Sequence, residues 1–182
     1  MGMQTPQDLF LHELGDMYDA EQRILQMLPT MAKECDNDQV RQAFQHHEQE
    51  TKQQVQNLDK CFQALGAKPP QTTCAAIAGM KQEHDSFLKE KPTQQLLTMF
   101  DLGGASKTEY YEIASYTGLI EQAQLMGQQE CARLLQQNLQ QEQAMAKTVQ
   151  QLSQQLGKQT AQSIGQMTSG QSITGDQSTA GI

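Results

Sequence analysis

The chain has 182 residues and an acidic balance, 13 Lys and Arg against 21 Asp and Glu, for a net charge of -8. That length suits one domain with a tail and is enough for a real hydrophobic core. No cluster of Lys and Arg offers the face that a phosphate backbone needs, which argues against a nucleic-acid partner, and no apolar run approaches the roughly 18 residues of a membrane span.

Met1 to Gln7 carries no basic stretch followed by an apolar one, so no secretory signal is expected there. The four cysteines, Cys35, Cys61, Cys74 and Cys131, form no CxxC and read as reduced core thiols of a cytoplasmic protein. Gln, Leu, Met, Ala, Glu and Lys dominate, and all favour helix. β-branched residues are sparse outside the tail, so the expected class is all-α.

Taken in chain order, four long segments carry helical periodicity. The first runs from about Thr5 to Glu34, with Thr5-Pro6 as an N-cap and first-turn proline. Its apolar stripe is Leu14, Met17, Tyr18, Ile24, Leu25, Leu28, and Pro29 should kink it or begin its final turns. Asp36-Asn37-Asp38 marks a turn in which Asp38 can cap the second helix, from about Gln39 to Leu65, which stops at Gly66. A long connection, Ala67 to Thr93, holds a short helix over Ala75 to Leu88. The third helix starts near Thr93 and ends near Gly127, with Leu96, Leu97 and Phe100 leading its stripe. The fourth runs from about Gln128 to Leu156 and stops at Gly157.

Two short connections make two antiparallel hairpins, and the long middle link can cross the bundle from end to end. Ferritin-like four-helix bundles use one such crossover. The expected domain is therefore residues 1–157. Residues 158–182, rich in Gln, Ser, Thr and Gly, lack the apolar area to offset their ordering entropy and are expected to be a disordered tail.

The apolar stripes break in four places. Glu21 interrupts the first helix, and His47, Glu50 or Thr51, and Gln54 the second. Glu109, Glu112 and Tyr116 interrupt the third, and Asn138 and Glu142 the fourth. The helix midpoints fall near residues 20, 52, 110 and 142, so antiparallel packing brings these breaks to one level. Taken singly, each has a plain reading. Glu21 and Glu142 suit residues at the boundary of the core, His47 a solvated or hydrogen-bonded histidine, and Glu109 with Glu112 an exposed acidic face paired with Lys107. Taken together, they describe a dry layer of acids that must be neutralised, because each unpaired buried charge costs several kcal/mol, on the order of 3–5. Two divalent cations would do this. His47 with Glu50, and Glu109 with Glu112, each share a helix face and can present two ligands to one centre. His12 and His84 lie off this layer and receive no role.

Five runs, Thr5 to Gln22, Leu28-Pro-Thr-Met-Ala, His47-Glu-Gln-Glu-Thr, Glu109-Tyr-Tyr-Glu-Ile-Ala-Ser-Tyr and Leu139-Gln-Gln-Glu, resemble the YciE/YciF-type ferritin-like bacterial stress proteins. The likeness covers about residues 5–156. It implies a ferritin-like bundle, a homodimer, a link to stress responses and a two-metal site. The leading reading of the residues and the resemblance together is a cytosolic stress protein that binds two iron or manganese ions and acts on peroxide or oxygen. By motif, Glu21, His47, Glu50, Glu109, Glu112 and Glu142 fall on the family's acidic and histidine positions. Two departures stand out: Tyr110 occupies a position where many relatives have His, and Gln141 replaces an acid. A ferritin-like layout would also place a His at position 145, where this chain has Met. Apolar residues of the middle link, Ile77, Met80 and Phe87, add a motive for self-association. The competing reading is a non-enzymatic helical oligomerisation or interaction protein whose polar layer only fixes register.

Overall fold

The computed structural model describes the backbone of residues 2–171 and the side chains through residue 162. Five helices follow one another: α1 Pro6–Glu34, α2 Asp38–Ala64, α3 Ala75–Lys89, α4 Gln94–Leu125 and α5 Gln129–Gln171, with no strand among the described residues. None of these helices is long and apolar enough to cross a membrane.

Their ends are set by local chemistry. Thr5 and Asp8 form a reciprocal capping box at the start of α1, with Asp8 N–H donating to Thr5 Oγ1 at 3.1 Å and Thr5 N–H to Asp8 Oδ2 at 2.9 Å. Asn37, not Asp38, caps α2: its Oδ1 accepts from Gln39 and Val40 N–H. The side chain of Asp38 is instead one residue inside the helix, exposed and paired with Arg41. Gly66 and Gly127 take left-handed φ of 65° and 72° after α2 and α4. Each closes a Schellman motif, with Ala67 N–H on Phe62 O and Gln128 N–H on Ala123 O. Pro29 lies inside α1 without ending it.

The same glycine rule fails at Gly157. The fourth long helix does not stop there but continues to Gln171. A helical glycine costs only about 1 kcal/mol, and the residues after it are mostly helix formers. Thr160 fastens the extension: its hydroxyl donates to Leu156 O at 2.9 Å and accepts from Gln95 Nε2 of α4 at 2.9 Å. The helix thus runs fourteen residues beyond the boundary expected at Gly157, and residues 172–182 of the expected tail lie outside the described residues.

The long helices form a ring in which α1 packs on α2 and α4, and α5 on the same two. Asp36 meets Thr98 at one end, Gln155 meets Gln39 at that same end, and Cys61 meets Cys131 at the other. Every neighbouring pair is therefore antiparallel, while α2 and α4, joined by the crossover, sit across the diagonal. That is the ferritin-like connectivity.

The crossover is bonded along its length. Pro70 packs so closely on Gly15 of α1 that a methyl group there would overlap it. Cys74 N–H donates to Asp19 Oδ2 at 2.7 Å, and Tyr111 OH, 3.2 Å from Cys74 Sγ, donates to Asp16 Oδ2 at 2.7 Å. α3 then lies against α1 and α4, with Ile77 buried, Met80 packed on the core and Phe87 stacked on Phe100 at 3.9 Å. Ile77 is thus buried within the subunit, while Met80 and Phe87 remain partly exposed. All four cysteines are buried free thiols.

Candidate metal centre

Glu21, His47, Glu109, Glu112 and Glu142 are all buried, each at 2% exposure or less. They come from four helices and meet at mid-height, as the stripe breaks predict. Lys107 does not hold Glu109 or Glu112 on an acidic surface. It pairs with Glu83 of α3 at 2.8 Å, leaving both acids to the interior. The i, i+3 spacing puts Glu109 and Glu112 on one face of α4.

Four of the six predicted residues converge most tightly. His47, Glu109, Glu112 and Glu142 each offer a ligand atom, and those atoms all lie within 4.8 Å of one another. Metal–ligand bonds to imidazole or carboxylate run about 2.0–2.2 Å, so opposite ligands of one ion stand about 4.2 Å apart. Only a small contraction separates this group from a coordination sphere. His47 Nε2 is 3.4 Å from Glu109 Oε1 and 3.7 Å from Glu142 Oε2.

Glu21 and Glu50 are placed differently. Tyr116 OH donates to Glu21 Oε1, which leaves Oε2 without a partner. Glu50 is part-exposed, its side chain 19% accessible, and it lies 3.4 Å from His47 Nδ1 and 3.5 Å from His46 Nε2. There it can fix the His47 ring, as carboxylates commonly do behind a ligating imidazole. Tyr110 points outward at 61% exposure, and Met145 is buried apolar filling.

The electrostatics are those of an unneutralised cluster. Both oxygens of Glu112, Oε2 of Glu109 and Oε2 of Glu142 are buried without a hydrogen-bond partner. Burial, and after it the charge of Glu142, pushes the Glu21, Glu109 and Glu112 carboxyls well above the usual range. Glu142 is also raised by burial, but His47 and hydrogen bonds from Glu109 and Gln54 oppose the shift. With no cation, burial and mutual repulsion favour the protonated form of these acids.

The stripe pattern under-read two groups. Asn57, which it did not single out, donates to Asn138 Oδ1 at 2.8 Å, and Asn138 Nδ2 donates to Tyr116 OH at 3.0 Å. Gln54, noted only as a break, donates to Glu142 Oε1. A second polar cluster, Glu34, His84 and Asp101, lies where α1, α3 and α4 meet. Its sequence signal was the position of Asp101 four residues from both Leu97 and Ala105, on the buried face of α4.

A bundle of this connectivity, with acids and an imidazole gathered at mid-height, defines a ferritin-like protein. The chain belongs to the family described as "Domain of unknown function (DUF892)", which matches residues 5–162. Protein YciF of Escherichia coli K12 is 31% identical over 145 residues, spanning 79% of this chain and 87% of that protein. The crystal structure of the E. coli stress protein YciF aligns at a TM-score of 0.82 and 29% identity, covering 86% of this chain and 99% of that one. YcfI of Rhodopseudomonas palustris aligns at 0.78 and 37% identity, covering 81% and 94%. The chain is thus a member of a YciF-like stress-protein family.

Proposed function

We propose that this chain is a cytoplasmic stress protein that binds two iron or manganese ions in its mid-bundle layer. One observation carries the reading. Buried ligand atoms of His47, Glu109, Glu112 and Glu142 converge, while four of their carboxylate oxygens have no partner. A protein that buries several acids without hydrogen bonds bears a cost that only protonation or a cation removes. The donor set, one imidazole nitrogen among carboxylate oxygens, suits manganese and ferrous iron. The pairing of a likeness to YciF, itself a stress protein, with such a layer supports the stress role.

The four convergent residues would hold one ion, and Glu21 and Glu50 would be the further ligands available to a second. Five carboxylates and a neutral imidazole carry five negative charges, which two divalent ions reduce to one. When bound, the pair supplies a redox-capable, Lewis-acidic centre for peroxide or oxygen. The residues around it have separate tasks. Glu50 orients His47, Gln54 holds Glu142 by its amide, and Tyr116 holds Glu21. A cavity of about 40 Å³, lined in part by His47 and Glu109, adjoins the layer and has room for a small oxidant.

The test is metal content and turnover. Protein purified without chelator should carry close to two equivalents of iron or manganese, and the loaded protein should consume peroxide or oxygen. Metal-free protein that also fails to take up ferrous or manganous ion would make the layer a register device of an interaction protein.

A further inference from the structure

The second cluster is built from three elements, α1, α3 and α4, where they pack together. Glu34 ends α1, His84 lies on the crossover helix and Asp101 is in the second turn of α4. Glu34 Oε2 is 3.0 Å from His84 Nε2, and Asp101 Oδ1 is 3.3 Å from the same nitrogen. One imidazole nitrogen carries at most one hydrogen, so it cannot satisfy both oxygens. The ligand atoms of the three residues all lie within 4.8 Å of one another.

A second, independent feature points to a missing ligand. The Asp101 side chain is fully buried, and neither of its carboxylate oxygens has a hydrogen-bond partner. Away from the centre, His84 Nδ1 faces Asp85 Oδ1 at 3.8 Å, and Asp85 is held by Lys81 at 2.6 Å. An acid on the side of the outer nitrogen favours a proton there, which would let Nε2 exchange its contact with Glu34 for an ion.

Exposure falls inward across the cluster, from 21% for the Glu34 side chain through 11% for His84 to zero for Asp101. The cavity of about 40 Å³ is lined by His84 and Asp101 as well as by His47 and Glu109. One partly open cavity therefore touches both clusters, and the outer ligands Glu34 and His84 reach solvent.

We propose that Glu34, His84 and Asp101 form a divalent-cation site, separate from the mid-bundle layer, that takes first-row transition ions from solvent and passes them through the shared cavity. Two carboxylates and a neutral imidazole carry two negative charges, which one divalent ion cancels, and the mixed nitrogen and oxygen donors suit Mn²⁺, Fe²⁺, Co²⁺ or Zn²⁺ over Ca²⁺ or Mg²⁺. Binding at this site stands by itself. The delivery role rests on the mid-bundle layer being a metal site.

Cobalt provides the probe. Co²⁺ is titrated by visible absorption and calorimetry into wild type, into E112Q/E142Q, which disables the layer, and into that double variant carrying D101N. The double variant should keep one Co²⁺ equivalent with a histidine-ligand spectrum, and adding D101N should weaken it by at least about tenfold. E34Q and H84Q, on the more exposed side, repeat the measurement if D101N disturbs the helical signal. No Co²⁺ equivalent in E112Q/E142Q, or one that D101N, E34Q and H84Q leave unchanged, overturns the site. If wild type and E112Q/E142Q bind the same single equivalent, the layer is not a metal site and only the outer site stands. Stopped-flow loading of the layer should be slower in D101N alone; an unchanged rate overturns delivery.

Discussion

Two buried polar layers lie one helical turn apart in this bundle, and they are built on different principles. In the amide layer, Asn57 Nδ2 donates to Asn138 Oδ1 at 2.8 Å and Asn138 Nδ2 to Tyr116 OH at 3.0 Å, while Gln53, exposed at the rim, donates its Nε2 hydrogen to Asn57 Oδ1 at 3.1 Å. In the carboxylate layer, Glu112 has no hydrogen-bond partner, and Glu109, Glu142 and Glu21 each leave an oxygen unpaired. A satisfied network fixes register and rigidifies a core. An unsatisfied one is destabilising unless something outside the chain completes it. Polar burial alone does not mark a functional site; unpaired polar burial with converging ligand atoms does.

The largest test of that contrast is metal removal. An ion that binds only the native state at a hundred times its Kd adds about 2.7 kcal/mol, so two add about 5 kcal/mol. For a chain of this size, loaded protein should melt on the order of 10–20 °C above chelated protein, as read by calorimetry. Equal melting temperatures would place both layers in the same structural class.

Next in size is the amide layer. Asn138→Leu strands the Asn57 amide and takes a donor from Tyr116, at a cost of about 2–3 kcal/mol. Because this layer needs no ion, the loss in urea unfolding should be the same with and without metal. A loss present only in loaded protein would show that the amides serve the ligands, not register.

A smaller effect separates the layers by pH. The Glu21, Glu109 and Glu112 carboxyls are raised in the metal-free fold. Such groups hold their full contribution below the unfolded carboxylate value, about 4.3, and lose it as pH rises through their higher folded values. Chelated protein should therefore lose stability from about pH 5 upward. Loaded protein should show the reverse slope, because ligation requires the ionised acids. The difference between the two pH curves is the quantity to measure, since surface acids contribute equally to both.

Much of this was legible in the chain. Four stripes broken at one depth located Glu21, His47, Glu109, Glu112 and Glu142, because a period of 3.6 and antiparallel packing turn sequence position into height. The stripe left Glu50 or Thr51 open as the break in α2; Thr51 is the fully buried position, and Glu50 lies at the rim beside His47. The outer cluster went unread because the α4 stripe was started on Leu96. That residue is exposed, and the buried face runs through Leu97, Asp101 and Ala105. His84 gave no signal, since a short crossover helix has too few turns to reveal which side is covered. At Gly157 a rule that held at Gly66 and Gly127 failed, because the backbone there stays helical and Thr160 bonds across to α4. Contacts between distant segments decided each miss, and periodicity carries no information about them.

The smallest expected change is the most discriminating. Glu142→Gln keeps the volume of the side chain, and an amide oxygen there still accepts from Gln54. It removes the charge that acts on Glu21, Glu109 and Glu112 alike. In chelated protein this relieves repulsion, so stability should stay within about 1 kcal/mol of wild type or rise above it, where an ordinary buried hydrogen-bonded group would cost about 1–3 kcal/mol. On adding ferrous or manganous ion, the gain seen in wild type should shrink, because an amide is a weaker ligand than a carboxylate and the layer now lacks one negative charge. The two readings thus predict opposite signs in the metal-free state. A clear loss of stability in chelated Glu142→Gln, with no metal response in either protein, would mean that Glu142 is a structural acid satisfied by Gln54 and His47. Unchanged or higher metal-free stability together with a diminished metal response would mean that the wild-type fold accepts a strained, repulsive core in order to hold cations.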